Sequence, residues 1–328
     1  MSLRSLCSCY MDFFQKQNNK ASLYRLRGIS MKINVASYTN KGGYEINEDS
    51  FLCGNGIYAV ADGLGGHANG EVASAATVEY LKSYFSGNIS DDTLLAMLEG
   101  ANNAVCSLSN GSCSTVAAVV CSDEQLRLVN VGDSRAYYFR DGKLFAMTKD
   151  HSVCQLAVEP GDMTFDEIRH SADRSKLLKV LGSEQSLNIK KLYEPIIPQD
   201  GDAFLICSDG FWEYVYENEM EEDLLRSPDP EKWLNYMLER QLVRAKNEGD
   251  NYTAVCGYIH TSDESADQYV EQTKSSFPKR YIRLAVLVMI FAVVVTFALL
   301  FAGHASDDNE IHSVAEEINE NDDALSVG

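Results

Sequence analysis

The chain has 328 residues, 45% of them hydrophobic, with 28 Lys or Arg against 48 Asp or Glu and a formal net charge of −20. That length permits one large domain or two small ones around a sizeable core, and the negative charge argues against nucleic acid as a partner, because phosphate backbones are met by clustered Lys and Arg. The nine cysteines form no Cys-x-x-Cys pair and sit mostly in apolar surroundings, which fits buried thiols in a reducing compartment better than a disulfide framework or a zinc site.

Residues 1–30 contain no continuous apolar core of signal-peptide length, so secretion by an N-terminal signal is not expected, and Met31 offers an alternative start. Strands are expected at Lys32–Thr39, Ser50–Cys53 and Ile57–Ala61. Two helices follow: Glu71–Phe85, with Val72, Ala75, Val78, Leu81 and Phe85 at helical spacing, and Asp91–Leu108, capped by Ser90 or Asp91. Strands return at Ser114–Cys121, Leu126–Val131, Ala136–Arg140 and Lys143–Met147, the last two joined by an Asp141-Gly142 hairpin turn. Residues 150–182 read as an irregular insertion with short helices. Strands at Asn188–Tyr193 and Ala203–Cys207, a helix at Pro230–Lys246 and a strand at Tyr252–Ile259 complete the pattern. Runs of strands with paired helices point to antiparallel sheets covered by helices, not repeated βαβ units.

Beyond a polar linker at 261–280, Leu284–Ala302 is nineteen residues without a charge, enough to span a bilayer core at about 1.5 Å per residue. Lys274, Lys279, Arg280 and Arg283 crowd its N-terminal side, whereas the sequence from Ala305 onward holds eight acidic residues and no Lys or Arg. The positive-inside rule then places residues 1–280, with a folded domain at 31–260, in the cytoplasm, a single-pass transmembrane helix at 281–303, and an acidic tail at 304–328 outside.

Five acidic motifs stand at strand ends or turns: Asn47-Glu48-Asp49, Asp62-Gly63, Gly132-Asp133-Ser134-Arg135, Ser208-Asp209-Gly210 and Gly249-Asp250-Asn251. Singly, each reads as a plain turn. Yet Asp62, Asp133 and Asp209 each follow a buried apolar run, where a carboxylate is costly unless paired or coordinated. An all-oxygen set with no His or Cys interleaved selects Mg²⁺ or Mn²⁺ over zinc, and no nucleophile elbow or Cys–His spacing offers a covalent alternative. The glycines after Asp62 leave a phosphate-cradling loop as the competing reading of that stretch.

Taken in order, these motifs together with Leu64-Gly65-Gly66-His67, Ser114-Thr115, Thr148-Lys149-Asp150-His151-Ser152, Leu181-Gly182 and Asn251-Tyr252-Thr253 resemble the metal-dependent PP2C-type (PPM) serine/threonine protein phosphatases of bacteria, over about Met31 to Ile259. The resemblance implies an α+β fold of two packed antiparallel β-sheets flanked by helices, an αββα sandwich with a cleft at one end. It implies hydrolysis of phosphoserine or phosphothreonine by attack of a water bridging two Mn²⁺ or Mg²⁺ ions. Carried over by motif, Asp62 bridges both metals, the Gly63 carbonyl joins the second, and Asp209 and Asp250 hold the first. Glu48 and Asp49 act on or near the second, partly through water, and Asp133 with Asp209 matches a third, weaker site. Residues 150–182 correspond to a variable flap beside the cleft.

Two positions depart from the family pattern. Bacterial relatives usually carry Arg three residues before the Asn of Asn-Glu-Asp, contacting substrate phosphate; this chain has Tyr44, and Lys41 or Arg174 of the flap are the candidate substitutes. Animal relatives place a histidine two residues after the bridging Asp; here that residue is Leu64, and His67 is read as a bystander. The implied partners are phosphorylated proteins and a cognate serine/threonine kinase. Two alternatives stand beside this reading: a PP2C-like phosphoprotein-binding or regulatory module at the membrane that has lost turnover, and a two-metal hydrolase of a small phosphorylated molecule.

Overall fold

The computed structural model describes residues 29–263 except 66–68, 110, 123, 184–185, 190–191 and 247. The expected N-terminal extension up to residue 28, His67, and the linker, spanning segment and tail beyond residue 263 lie outside the described residues. Among those described, no helix is long and apolar enough to cross a membrane.

Two antiparallel sheets form the centre. The larger contains β1 (Ile29–Asn40), β8 (Arg135–Arg140), β9 (Lys143–Met147), β10 (Ala203–Cys207) and β11 (Tyr252–Asp263), in the order β1-β11-β10-β8-β9. The smaller runs β2-β3-β6-β7, from Ser50–Gly54, Ile57–Ala61, Val116–Cys121 and Leu126–Val131. A two-strand ribbon, β4 (Gly63–Leu64) with β5 (Cys113–Ser114), sits beside the cleft. Helices α1 (Gly70–Tyr84) and α2 (Asp91–Cys106) cover the smaller sheet. On the larger sheet lie α4 (Asp209–Trp212), α5 (Glu217–Leu225) and α6 (Pro230–Ala245), with α3 (Val153–Val158) in the insertion.

Period-two geometry explains why β3 is apolar on both faces. Ile57 and Ala59 point outward into a core shared with Leu81, Leu94, Met97 and Leu98 of the helices. Tyr58 and Val60 point inward, against Phe204, Ile206 and Val255 of the other sheet. A third core packs Leu205 and Cys207 against Trp212, Trp233 and Met237. The stack is therefore helix, sheet, sheet, helix, as expected.

Ser90 caps α2 by accepting from the Thr93 N–H, and Asp229 caps α6 through the Lys232 N–H. Two expectations are corrected, and one helix was not foreseen. Asn188–Tyr193 is not a strand among its described residues: Asn188 has φ 46°, and only Ile196 bridges to Leu126. β11 runs on to Asp263, into the expected linker, because β1 continues to pair with it back to Ile29. Finally, α5 puts only Met220 and Leu224 on the core, a short signal in its sequence; Arg240 and Arg244 of α6 also hold it through Glu219 and Asp223, with Arg240 Nε 2.8 Å from Asp223 Oδ2 and Arg244 Nη1 2.7 Å from Glu219 Oε2.

Candidate active site

The chain delivers its acidic groups to one end of the sandwich by backbone clamps. Asp62 follows β3; its N–H donates to Thr115 Oγ1 (3.1 Å), and its carbonyl accepts from the Thr115 N–H (2.8 Å) and Ser114 Oγ (3.0 Å). Thr115 Oγ1 lies 2.7 Å from Ser134 Oγ, which ties the Asp62 turn to the Asp133 turn. Asp133 is held through its carbonyl by Trp212 Nε1 at 2.9 Å. Asp209 opens α4 directly after β10, and Asp250 precedes β11. A Cβ on Gly210 would stand 2.2 Å from the Asn251 carbonyl oxygen, so glycine is what lets these two turns close on each other. Glu48 is fixed by Asn251, whose Oδ1 accepts its N–H at 2.8 Å, and by the Ser74 hydroxyl on its carbonyl.

Glu48, Asp62, Asp133, Asp209 and Asp250 thus face one cleft of about 730 Å³, together with Tyr44, Ile46, Gly63, Leu64, Ser175 and Leu177. No Lys, Arg or His occurs among the described residues that line it. Burial, then repulsion from Asp49 and Asp209, pushes the Asp62 carboxyl well above the usual carboxylate range. Asp209 is raised likewise, by burial and by Asp133 and Asp250. Burial and the neighbouring Asp150 lift Asp133 to about 7, and Glu48 and Asp250 are raised mainly by burial.

The donor set fits a hard divalent cation. It is all oxygen, and Asp209 Oδ1 is buried with no hydrogen-bond partner, a costly arrangement that a cation would relieve. Among the described residues no group of three or more His, Cys, Asp or Glu stands close enough together to hold an ion by itself. Water would therefore complete the shell, as is usual for Mg²⁺ and its like.

Each residue singled out in the sequence can now be placed. Glu48, Asp62, Gly63, Asp133, Asp209 and Asp250 line the cleft. Asp49 does not: it is buried, its Oδ2 accepts from Ser208 Oγ at 2.8 Å, its Oδ1 has no partner, and burial lifts it to about 7. Tyr44 does line the cleft, exposed, its phenol pKa raised chiefly by Asp250. Lys41 is exposed and outside the lining. Arg174 stands at the rim, its guanidinium engaged by Glu213.

Several motifs prove to be supports. Asp150 receives Arg135 Nε and Nη2, both at 2.8 Å, in a fully buried pair with the guanidinium 3.5 Å from the Trp212 ring centroid. His151 holds the Gly132 backbone, accepting its N–H through Nδ1 at 3.3 Å. Leu181 bridges to Ser114 beneath the Asp62 turn. Sequence reading missed Ser74, Trp212, Glu213, Ser175 and Leu177; a helix start or flap position gives no signal for such contacts.

Residues 45–248 match the family model described as protein phosphatase 2C. The serine/threonine protein phosphatase PstP of Mycobacterium tuberculosis is 34% identical over 188 residues, 54% of this chain and 36% of that protein, so the chain spans about a third of that relative. The serine/threonine phosphatase stp of Listeria monocytogenes is 30% identical over 198 residues, 56% of this chain and 76% of that one. The PstP catalytic domain, solved in complex with two manganese ions, superposes with a TM-score of 0.61 at 28% identity, covering 70% of this chain and 100% of that one. With its family match extending over more than half of its length, the chain belongs to the protein phosphatase 2C family.

Proposed function

We propose that the chain is a metal-dependent protein serine/threonine phosphatase. The observation that carries this is the convergence of five carboxylates from separate turns on one cleft whose described lining holds no Cys or His. Asp62, Asp209 and Asp250, with the Gly63 carbonyl, Glu48 and Asp133, would hold two Mn²⁺ or Mg²⁺ ions and a weaker third. Bound there, such ions lower the pKa of water and neutralise a phosphoryl group.

The chain's own part is placement. Ser114 and Thr115 prevent the Asp62 turn from shifting, and Asn251 locks Glu48 against the Asp250 turn. Asp49 supports the floor through Ser208. Ile46, Leu64 and Leu177 give the cleft an apolar wall suited to the carbon skeleton of a phosphorylated side chain. Family membership, the PstP and stp relatives and the two-manganese PstP domain support the reading.

The test is Mn²⁺-dependent hydrolysis of an aryl phosphate and a phosphothreonine peptide by the full chain. Asp209→Asn should lower turnover at least about 100-fold, the upper end of what disturbing a metal ligand's support costs; undiminished turnover would refute the site.

The substrates in this reading are phosphoproteins, including those of a cognate serine/threonine kinase. We further propose that Leu284–Ala302 anchors the protein with the catalytic domain cytoplasmic, supported by its uncharged length and the flanking basic residues. Protease added to intact cells should then reach the acidic tail alone; digestion of the catalytic domain would overturn the topology.

A further inference from the structure

A cleft that is to receive a phosphate dianion is here lined by six acidic residues, Glu45 among them, and, among the described residues, by no cation. Arg174 stands at its edge. It immediately precedes Ser175, which lines the cleft, and the flap carrying both is pinned by the Val153 N–H to the Lys176 carbonyl (3.0 Å) and by a bridge between Ser152 and Leu177. Its guanidinium grips the Glu213 carboxylate through Nε and, at 3.4 Å, through Nη2. Glu213 in turn sits one helical turn past Asp209, its N–H donating to the Asp209 carbonyl at 2.9 Å. Arg174 keeps 38% of its side chain exposed, whereas Glu213 keeps 12%. The arginine is therefore the partner open to solvent and the glutamate the enclosed one. The neighbouring Lys176 is drawn off by Asp173 at 2.7 Å.

We propose that Arg174 is the phosphate-binding side chain of the flap, parked on Glu213 until a substrate phosphate competes for it. This rests on the phosphatase reading above and assigns who meets the phosphate in a chain with Tyr44 on the cleft wall. A guanidinium presents a planar fork matched to two phosphate oxygens, and a dianion outcompetes a single carboxylate for it. Side-chain rotation alone is needed, because the backbone of the flap is already held beside the cleft.

The experiment compares the full-length wild type with Arg174→Ala, Arg174→Lys, Glu213→Gln and the double variant Arg174→Ala with Tyr44→Arg, each loaded with Mn²⁺. Calorimetry measures inorganic phosphate binding, and aryl phosphate kinetics separate KM from kcat. Arg174→Ala should weaken phosphate binding about 10- to 100-fold, as expected for loss of a charged hydrogen-bonding partner, with the loss falling on KM rather than kcat. Arg174→Lys should recover part of it, and adding Tyr44→Arg to Arg174→Ala should recover more. Glu213→Gln frees the arginine from a partly exposed pair and should tighten phosphate up to about fivefold. A latch that only supports the fold predicts the opposite sign for Glu213→Gln, with both single variants losing Mn²⁺ affinity together. Phosphate affinity unchanged in Arg174→Ala, or weakened equally in Glu213→Gln, overturns the proposal. If the wild type hydrolyses nothing, the phosphatase reading falls, while phosphate binding still decides the role of Arg174.

Discussion

Replacing Asp133 by Asn should stabilise the metal-free protein, and by an amount that grows with pH. Burial and Asp150 lift the Asp133 carboxyl from 3.8 to about 7 in the folded chain. A carboxyl raised in the folded state holds its proton more tightly there than when unfolded. Stability is therefore intact below the unfolded pKa and is lost as pH rises toward the folded one. At about 1.4 kcal/mol per pH unit, the two units between pH 5 and the folded pKa remove about 3 kcal/mol. His151 acts in the opposite sense: burial lowers it to about 4, so it contributes stability that grows from there up to its unfolded pKa of 6.5. The two nearly offset one another in wild type between pH 5 and 6.5, so the variant must be compared with wild type at each pH. Urea unfolding of both proteins with chelator present, at pH 5 and pH 8, should show the advantage of Asp133→Asn widening by about 3 kcal/mol. An advantage that stays constant across that range would refute the assignment of a buried, proton-retaining carboxyl. Saturating Mn²⁺ should erase the wild-type loss, because binding to the folded state alone stabilises it.

Other consequences are as specific. Arg135→Met leaves Asp150 buried and unpaired, which costs about 3–5 kcal/mol; thermal unfolding should fall by about 10 °C, and Asp150→Leu in the same chain should restore much of it. Gly63→Ala puts a Cβ 2.1 Å from the Gly70 carbonyl oxygen, with backbone on both sides and no room to give. Calorimetric Mn²⁺ affinity should fall about 10-fold or more, within the range for disturbed ligand support; wild-type affinity would refute the close-packed turn.

The order of layers was legible because β3 and β10 are apolar at every position, which only a strand covered on both faces requires. The cleft carboxylates were legible for a related reason: an ionisable side chain that ends such a run has nowhere inexpensive to go. Sequence did not separate the groups that face the cleft from those that hold it in shape. Asp49 and Asp150 look like Asp62 and Asp209 on the page, but one points into Ser208 and the other into Arg135. That difference depends on which face of a turn meets which strand, and it arises only when the two sheets pack. The helix α5 was invisible because its own periodicity offers only Met220 and Leu224, while much of its support comes from Arg240 and Arg244, some twenty residues further on. The expected strand at Asn188 failed locally, on a left-handed residue.

The cleft lies where the chain passes between its two sheets. Glu48 sits on the crossing from β1 to β2 and Asp133 on the crossing from β7 to β8, while Asp62 ends a strand of one sheet and Asp209 a strand of the other. An ion held between Asp62 and Asp209 would rivet two plates whose shared interior is packed with apolar side chains such as Tyr58 and Phe204, whose rings are 5.1 Å apart. The slip of one plate over the other then sets the gauge between the metal seats. Trimming a ring in that interlayer, with no atom near the cleft, would be felt there as a change in which cation fits.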